Sequence, residues 1–167
     1  MSKLFIMRHA IAEDRDLFAQ TGLPDEERPL TEDGVSRLKK IVSRLKKMNL
    51  AFDVICQSPL VRSQQTAQIV ADTFKNSDLI TLEHLRPSSS LKDLIQDLNQ
   101  LKAQHILIVG HEDHLSKLTS FLITRSAEQP FVYYKKAGIS SLSFDKKIIP
   151  GHLQLDWLLT PKMMLGL

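Results

Sequence analysis

The sequence predicts an α/β protein, a three-layer α/β/α sandwich around a mostly parallel central sheet. Three observations lead there. Short apolar runs rich in β-branched residues alternate with amphipathic stretches over most of the chain. The clearest of those runs, His105 to Val109, reads as a buried strand. The tail departs from this alternation, since Ile139–Phe144 and His152–Leu158 read as two antiparallel strands added at the end. With 167 residues, 43% of them hydrophobic, the chain has the size and apolar content of one domain, spanning 1–167, whose core needs no disulfide or metal.

Taken in order, Lys3–Met7 is apolar and partly β-branched, and Arg8-His9 follows at once, so a short buried strand delivers two polar side chains at its C-terminal end. Residues 10–30 are polar and contain Gly22, Pro24 and Pro29, the composition of a long loop. Loops of that length in compact domains are often functional. Thr31-Glu32-Asp33-Gly34 offers an N-cap and first-turn acids, and Val35, Leu38, Ile41, Val42, Leu45 and Met48 then form the apolar stripe of a helix. Its other face carries Arg37, Lys39, Lys40, Arg44, Lys46 and Lys47, most simply a solvated surface and alternatively a guide for an acidic partner.

Asp53–Gln57 reads as the second strand. Ser58-Pro59 reads as the start of a helix running to about Phe74, with Ser58 capping the free amides and Ser63-Gln64-Gln65-Thr66 as polar helix surface. Leu79–Leu82 is the third strand, Ser88–Ser90 a cap cluster, and Leu91, Leu94, Ile95, Leu98 and Leu101 the stripe of the next helix. The fourth strand ends in Gly110-His111, and Leu115, Leu118 and Leu122 mark the helix after it. Successive strand–helix pairs call for crossovers onto a parallel sheet, whose ligands bind at the carboxyl ends of the strands.

Composition narrows the function classes. Lys plus Arg exceed Asp plus Glu by 22 to 19, a formal charge of +3, spread along the chain without a basic tail. Nucleic-acid binding would want a basic stripe interleaved with aromatics, and only 6% of residues are aromatic, so no nucleic-acid partner is expected. The single cysteine, Cys56, has no internal partner, which fits a reducing compartment. Leu4–Met7 is too short for a signal-peptide core or a membrane span, so the expectation is a soluble, cytoplasmic protein without membrane association.

The positions of a few polar residues carry the chemistry. Arg8 and His9 follow the first strand, Arg62 lies on the first turn of the helix after the second, and His111 follows the fourth, so all are expected at one edge of the sheet. Two guanidiniums offer paired donors to phosphoryl oxygens, and a helix N-terminus near Ser58 adds its dipole and free amides, so the expected tenant is a phosphate. A neutral imidazole can attack phosphorus and split a hydrolysis into two displacements. His9 is the candidate nucleophile, and His111 the candidate stabiliser of the equatorial oxygens, with Glu112 and Asp113 nearby to orient it. His105, His114 and His152 read as structural. His111-Glu112-Asp113-His114 does not match the zinc helix His-Glu-x-x-His, so neither a metal nor another cofactor is expected. Glu26-Glu27 reads as a solvent-exposed pair in the loop, and no glycine-rich nucleotide loop is present.

These residues resemble the histidine phosphatase superfamily, which has the phosphoglycerate mutase-like fold, and within it the compact SixA-like phosphohistidine phosphatases. The likeness rests on Met7-Arg8-His9-Ala10, Pro29-Leu30-Thr31-Glu32-Asp33-Gly34, Ser58-Pro59-Leu60-Val61-Arg62 with Gln65-Thr66-Ala67, and Gly110-His111, four motifs in order over nearly the whole chain. It implies a metal-independent phosphatase with His9 as nucleophile and Arg8, Arg62 and His111 as the phosphate pocket. Two positions depart from the pattern. Ala10 stands where the signature has glycine, which requires a backbone there that avoids a positive φ. The proton donor that many members carry as an acid just after the third strand falls on Leu82-Glu83-His84-Leu85, leaving His84 or Glu83 as candidates.

A weak or missing acid favours an imidazole leaving group over an alkoxide. The reference pKa of imidazole is about 6.5, and its second nitrogen can carry the proton. The chain has no large insertion to serve as a lid, so the site is expected to open to a folded protein. The expected substrate is phosphohistidine on a signalling or phosphorelay protein. The alternatives are a phosphomonoesterase acting on a small metabolite and a non-catalytic phosphoprotein-binding module.

Overall fold

The computed structural model describes residues 1–166. Strands β1 (Ser2–Arg8), β2 (Val54–Gln57), β3 (Asp78–Thr81) and β4 (His105–Gly110) are joined through helices α1 (Arg15–Ala19), α2 (Glu32–Lys47), α3 (Val61–Thr73) and α4 (Leu91–Gln100). Helix α5 (His114–Thr124), strands β5 (Ile139–Phe144) and β6 (Gln154–Leu159), and helix α6 (Pro161–Gly166) complete the chain. The six-stranded sheet has the order β3-β2-β4-β1-β5-β6. Strands β1–β4 pair in parallel, while β5 runs antiparallel to both β1 and β6.

Alternate residues of each inner strand face opposite layers. Leu4 and Ile6 of β1 pack with Ile106 and Ile108 of β4 against Leu94 and Leu98 of α4 and Leu115 and Leu118 of α5. Phe5 and Met7 pack with Leu107 and Val109 against Leu38, Ile41 and Leu45 of α2, Ala67 and Val70 of α3, and Met164 of α6. A sheet covered on both faces needs apolar residues at consecutive positions, which is why β1 and β4 carry unbroken apolar runs. The mixed α/β architecture expected from the sequence is the observed one.

Local differences have local causes. Residues 10–30 are not a plain loop: Asp14 caps α1 by accepting from the amides of Asp16 and Leu17, residues 25–27 form a 3-10 turn, and Ala12 bridges to Leu30. Thr31 caps α2 as expected, accepting from the Gly34 amide at 2.9 Å. Ser58 does not cap α3. The cap position is Leu60, with no side-chain cap, because Ser58 is wholly buried two residues upstream. Ser63 and Thr66 are also buried rather than surface residues, and α6 had no counterpart in the sequence reading. Among the described residues no helix is long and apolar enough to cross a membrane.

Candidate active site

The strand order decides the site. Strands β1 and β4 are neighbours whose register pairs Arg8 with Gly110, so the residues that follow, His9 and His111, emerge side by side. The His9 amide donates to the Gly110 carbonyl at 3.0 Å, and the two imidazole centroids lie 5.2 Å apart. From β1 the chain leads towards α2 on one face of the sheet, and from β4 to α5 on the other, which opens a crevice between the two strand ends. Arg62, on the first turn of α3, completes a cleft of about 430 Å³ with Arg8, His9 and His111.

His9 is 6% exposed, and its Nδ1 lies 2.7 Å from the Ala10 carbonyl. A carbonyl only accepts, so Nδ1 carries the proton and Nε2 keeps its lone pair. Burial, followed by the positive fields of Arg62, Arg8 and Arg28, lowers the His9 pKa to about 3, although the Ala10 carbonyl acts in the opposite direction. The ring is neutral at every physiological pH, with Nε2 free to act as a base. Ala10 itself is buried and lies outside the positive-φ residues, so the alanine fits without backbone strain. Its amide donates to Thr66 Oγ1, which in turn donates to the Arg62 carbonyl. The hydroxyl of Thr66 thus ties the loop after β1 to α3.

His111 is 2% exposed, with its pKa lowered to about 2 by burial first and then by the neighbouring His9 and Arg62. It is therefore a neutral donor through one ring nitrogen. Nε2 lies 2.8 Å from Ser58 Oγ. Ser58, expected from the sequence to bind phosphate, does not line the cleft but contacts His111, which does. His114, three residues on, faces the Ser89 carbonyl at 3.1 Å, away from the partner of His111.

Each arginine is anchored at one side. Arg8 donates through Nη1 to the Tyr134 carbonyl at 2.8 Å. Arg62 donates to the Asp25 carbonyl at 2.8 Å and to its carboxylate at 3.1 Å. The Nε atoms of Arg8 and Arg62 and Nδ1 of His111 are buried with no hydrogen-bond partner among the described residues. Buried unpaired donors are costly, and a phosphoryl group supplies the acceptors that such donors need.

Two members of the cluster were missed in the sequence. Arg28, 7% exposed, lines the cleft and donates to Asp25 Oδ1 at 2.7 Å and to the Glu13 carbonyl. Asp25 braces Arg28 and Arg62 together, with Arg15 at 3.7 Å, and these cations hold its carboxyl below the usual range despite the burial that raises it. The available signal was the position of Arg28 immediately before the Pro29-Leu30-Thr31 motif. Glu26 of the same turn pairs with Arg86 at 2.6 Å, and Glu112 accepts from the Tyr134 amide and the Ser116 hydroxyl.

Neither candidate proton donor lines the cleft. His84 pairs with Asp97 of α4 at 2.6 Å, which raises its pKa, and Glu83 pairs with Arg86 at 2.8 Å. The residue that this turn contributes to the cleft wall is Pro87.

Comparison with known proteins identifies the family and the fold. Residues 4–90 match the model of the histidine phosphatase superfamily, branch 1. A protein from a Picosynechococcus species is 32% identical over 98% of this chain and 99% of its own. Among solved structures, the protein histidine phosphatase SixA complexed with tungstate superimposes with a TM-score of 0.78 at 24% identity, covering 95% of this chain and 97% of its own. The alpha-ribazole phosphatase of Shigella flexneri superimposes with a TM-score of 0.73 at 19% identity, covering 95% and 96%. At these identities the two structural likenesses speak for the fold.

Proposed function

Since the chain belongs to the histidine phosphatase superfamily, we propose that it is a single-domain phosphatase that removes phosphate from phosphohistidine on a protein by way of a phosphorylated His9. Nε2 of His9 attacks phosphorus, the phosphorus–nitrogen bond of the substrate breaks, and a phosphorus–nitrogen bond to His9 forms. Arg8, Arg28 and Arg62 hold the phosphoryl oxygens, and His111 donates to the charge that develops on them. Water then attacks phospho-His9, releasing orthophosphate and the neutral imidazole.

The observation that carries the choice of substrate is the fate of the turn after β3. Glu83 and His84 are engaged with Arg86 and Asp97, and neither lines the cleft. The carboxylates that do are Glu13, Asp14 and Asp16 of the segment after β1 and Glu112 after β4, of which Asp14 caps α1 and Glu112 accepts from the Tyr134 amide and the Ser116 hydroxyl. An alkoxide leaving group would need a proton at this point. Imidazole leaves as a neutral molecule once its far nitrogen is protonated, with no acid at the scissile nitrogen. The likeness to SixA supports the same reading. The likeness to alpha-ribazole phosphatase supports the second one, a small phosphoester.

The test is phosphate release from a phosphohistidine protein and from a small phosphoester, with chelator present and His9→Ala as control. Rapid turnover of the phosphohistidine that His9→Ala abolishes is expected. Preference for the ester would select the second reading. Phosphate-competed binding without turnover of either substrate would select a recognition module.

A further inference from the structure

Beside the catalytic cleft lies a second groove, of about 670 Å³, between the first half of α2, residues 133–137 and the start of α6. Its floor is apolar, formed by Ile11, Leu38, Ile41, Ala137 and Pro161. Its rim carries Arg37, Lys135, Lys136 and Lys162, all exposed, and no aspartate or glutamate lines it. None of these four cations has a carboxylate within ion-pair distance among the described residues. The groove adjoins the cleft, with Arg8 and Lys136 lining both.

We propose that this groove is the docking site for an acidic, amphipathic segment of the phosphoprotein substrate. Four cations with no carboxylate partner among the described residues, Lys135 lying over the Tyr133 ring at 5.3 Å, stand over an apolar floor and complement a segment with carboxylates on one side and apolar residues on the other. Since the groove meets the cleft at Arg8 and Lys136, a segment lying in it can belong to the same molecule whose phosphorylated side chain enters the cleft. The groove has room for several side chains. Arg37 thereby gains a role distinct from the rest of the basic face of α2, since Lys39 and Arg44 do not line the groove. The inference rests on the phosphoprotein reading above.

The test uses two synthetic peptides, each with one histidine phosphorylated by phosphoramidate, flanked in one by alternating Glu and Leu and in the other by alternating Gln and Leu. Matched phosphoserine versions and fluorescein-labelled unphosphorylated versions complete the set. The enzymes are wild type, the double variant Arg37→Glu/Lys162→Glu, and a charge-matched control, Lys39→Glu/Arg44→Glu. Wild type is expected to favour the acidic peptide by about 10-fold in KM, a preference that weakens with added salt. The groove variant should lose the preference and the control should keep it, while p-nitrophenyl phosphate turnover stays level in all three.

An equal KM for the two flanks, a preference that survives in the groove variant, or one lost equally in the control would overturn the docking site and leave the phosphohistidine reading standing. Turnover confined to the phosphoserine peptides, with the acidic preference lost in the groove variant, would support the groove and sink the phosphohistidine reading. If no peptide is turned over, fluorescence anisotropy decides: binding of the labelled acidic peptide that weakens about 10-fold in the groove variant supports docking, and equal or absent binding rejects it.

Discussion

Neutral His9 is the consequence of where it sits. With its pKa held at about 3 and its Nδ1 proton committed to Ala10, the proposed nucleophile does not switch off near the ordinary histidine value. We therefore expect kcat/KM for p-nitrophenyl phosphate, whose leaving group needs no ring proton, to stay level from about pH 8 to about pH 5, once the second ionisation of the substrate phosphate near pH 6 is allowed for. A fall in that rate as the pH is lowered through about 6.5, beyond the substrate's own ionisation, would show that His9 titrates freely and that its burial is broken in solution. Arg28 carries a second expectation. Its guanidinium lies between Asp25 and the cleft, so Arg28→Ala should lower kcat/KM by about 10- to 100-fold, the range for one charged hydrogen bond. Arg28→Lys should not restore it, since one ammonium cannot reproduce the fork. Undiminished kcat/KM in Arg28→Ala would remove Arg28 from the phosphate site. Ser58 acts through His111, so Ser58→Ala should reduce kcat by roughly 10-fold with KM little changed. Rescue by Ser58→Thr would distinguish a lost hydroxyl from a packing defect.

Between elements, the seam of loop 10–30 with α2 is set by Gly34. A Cβ there would lie 2.1 Å from the Ile11 carbonyl oxygen, so the glycine is required by close approach and not by backbone conformation. The same carbonyl accepts from the Thr31 amide at 3.0 Å, which fixes the strand exit against the helix start. Gly34→Ala must push the two apart. We expect it to destabilise the protein by about 1–3 kcal/mol in urea unfolding, the usual cost of overpacking, and to lower activity as well, because the displaced segment begins at His9. An unchanged unfolding midpoint would mean that the seam is soft. The motif Pro29-Leu30-Thr31-Glu32-Asp33-Gly34 was legible in the sequence as a helix start. That its glycine touches the loop leaving β1 was not, because nothing local to the motif says what packs on it.

For the whole molecule, the buried neutral histidines link folding to pH. His9 and His111 are depressed to about 3 and about 2 when folded, whereas in the unfolded chain they return to about 6.5. Between those values the unfolded chain binds more protons than the folded one, so stability is fully present above about pH 6.5 and is lost as the pH falls towards 3. The urea midpoint should therefore drop between about pH 7 and pH 4, and drop less in His9→Gln, which has no proton to take up. Equal slopes in the two proteins would show that His9 contributes no linkage. Orthophosphate should offset the loss, since a ligand held at about 100 times its Kd adds about 2.7 kcal/mol, and Arg62→Ala should abolish that gain.

The sequence by itself determined the alternation of strands and helices, the mixed sheet and the residues His9, Arg8, Arg62 and His111 at strand or helix ends, because period and local punctuation are local properties. Tertiary structure alone decided the rest. Pairing of β1 with β4 set His9 beside His111 across 101 intervening residues. The fold also turned Ser58 from a cap into a partner of His111, and Ser63 and Thr66 from surface into seam. Asp25, an exposed polar residue of an apparent loop, became the brace that joins buried Arg28 to Arg62, and Glu83 and His84 were tied to Arg86 and Asp97. The physical reason is common to all of these. A polar side chain's partner is chosen by which elements pack together, and that choice rests on contacts far apart in the chain which no local pattern encodes.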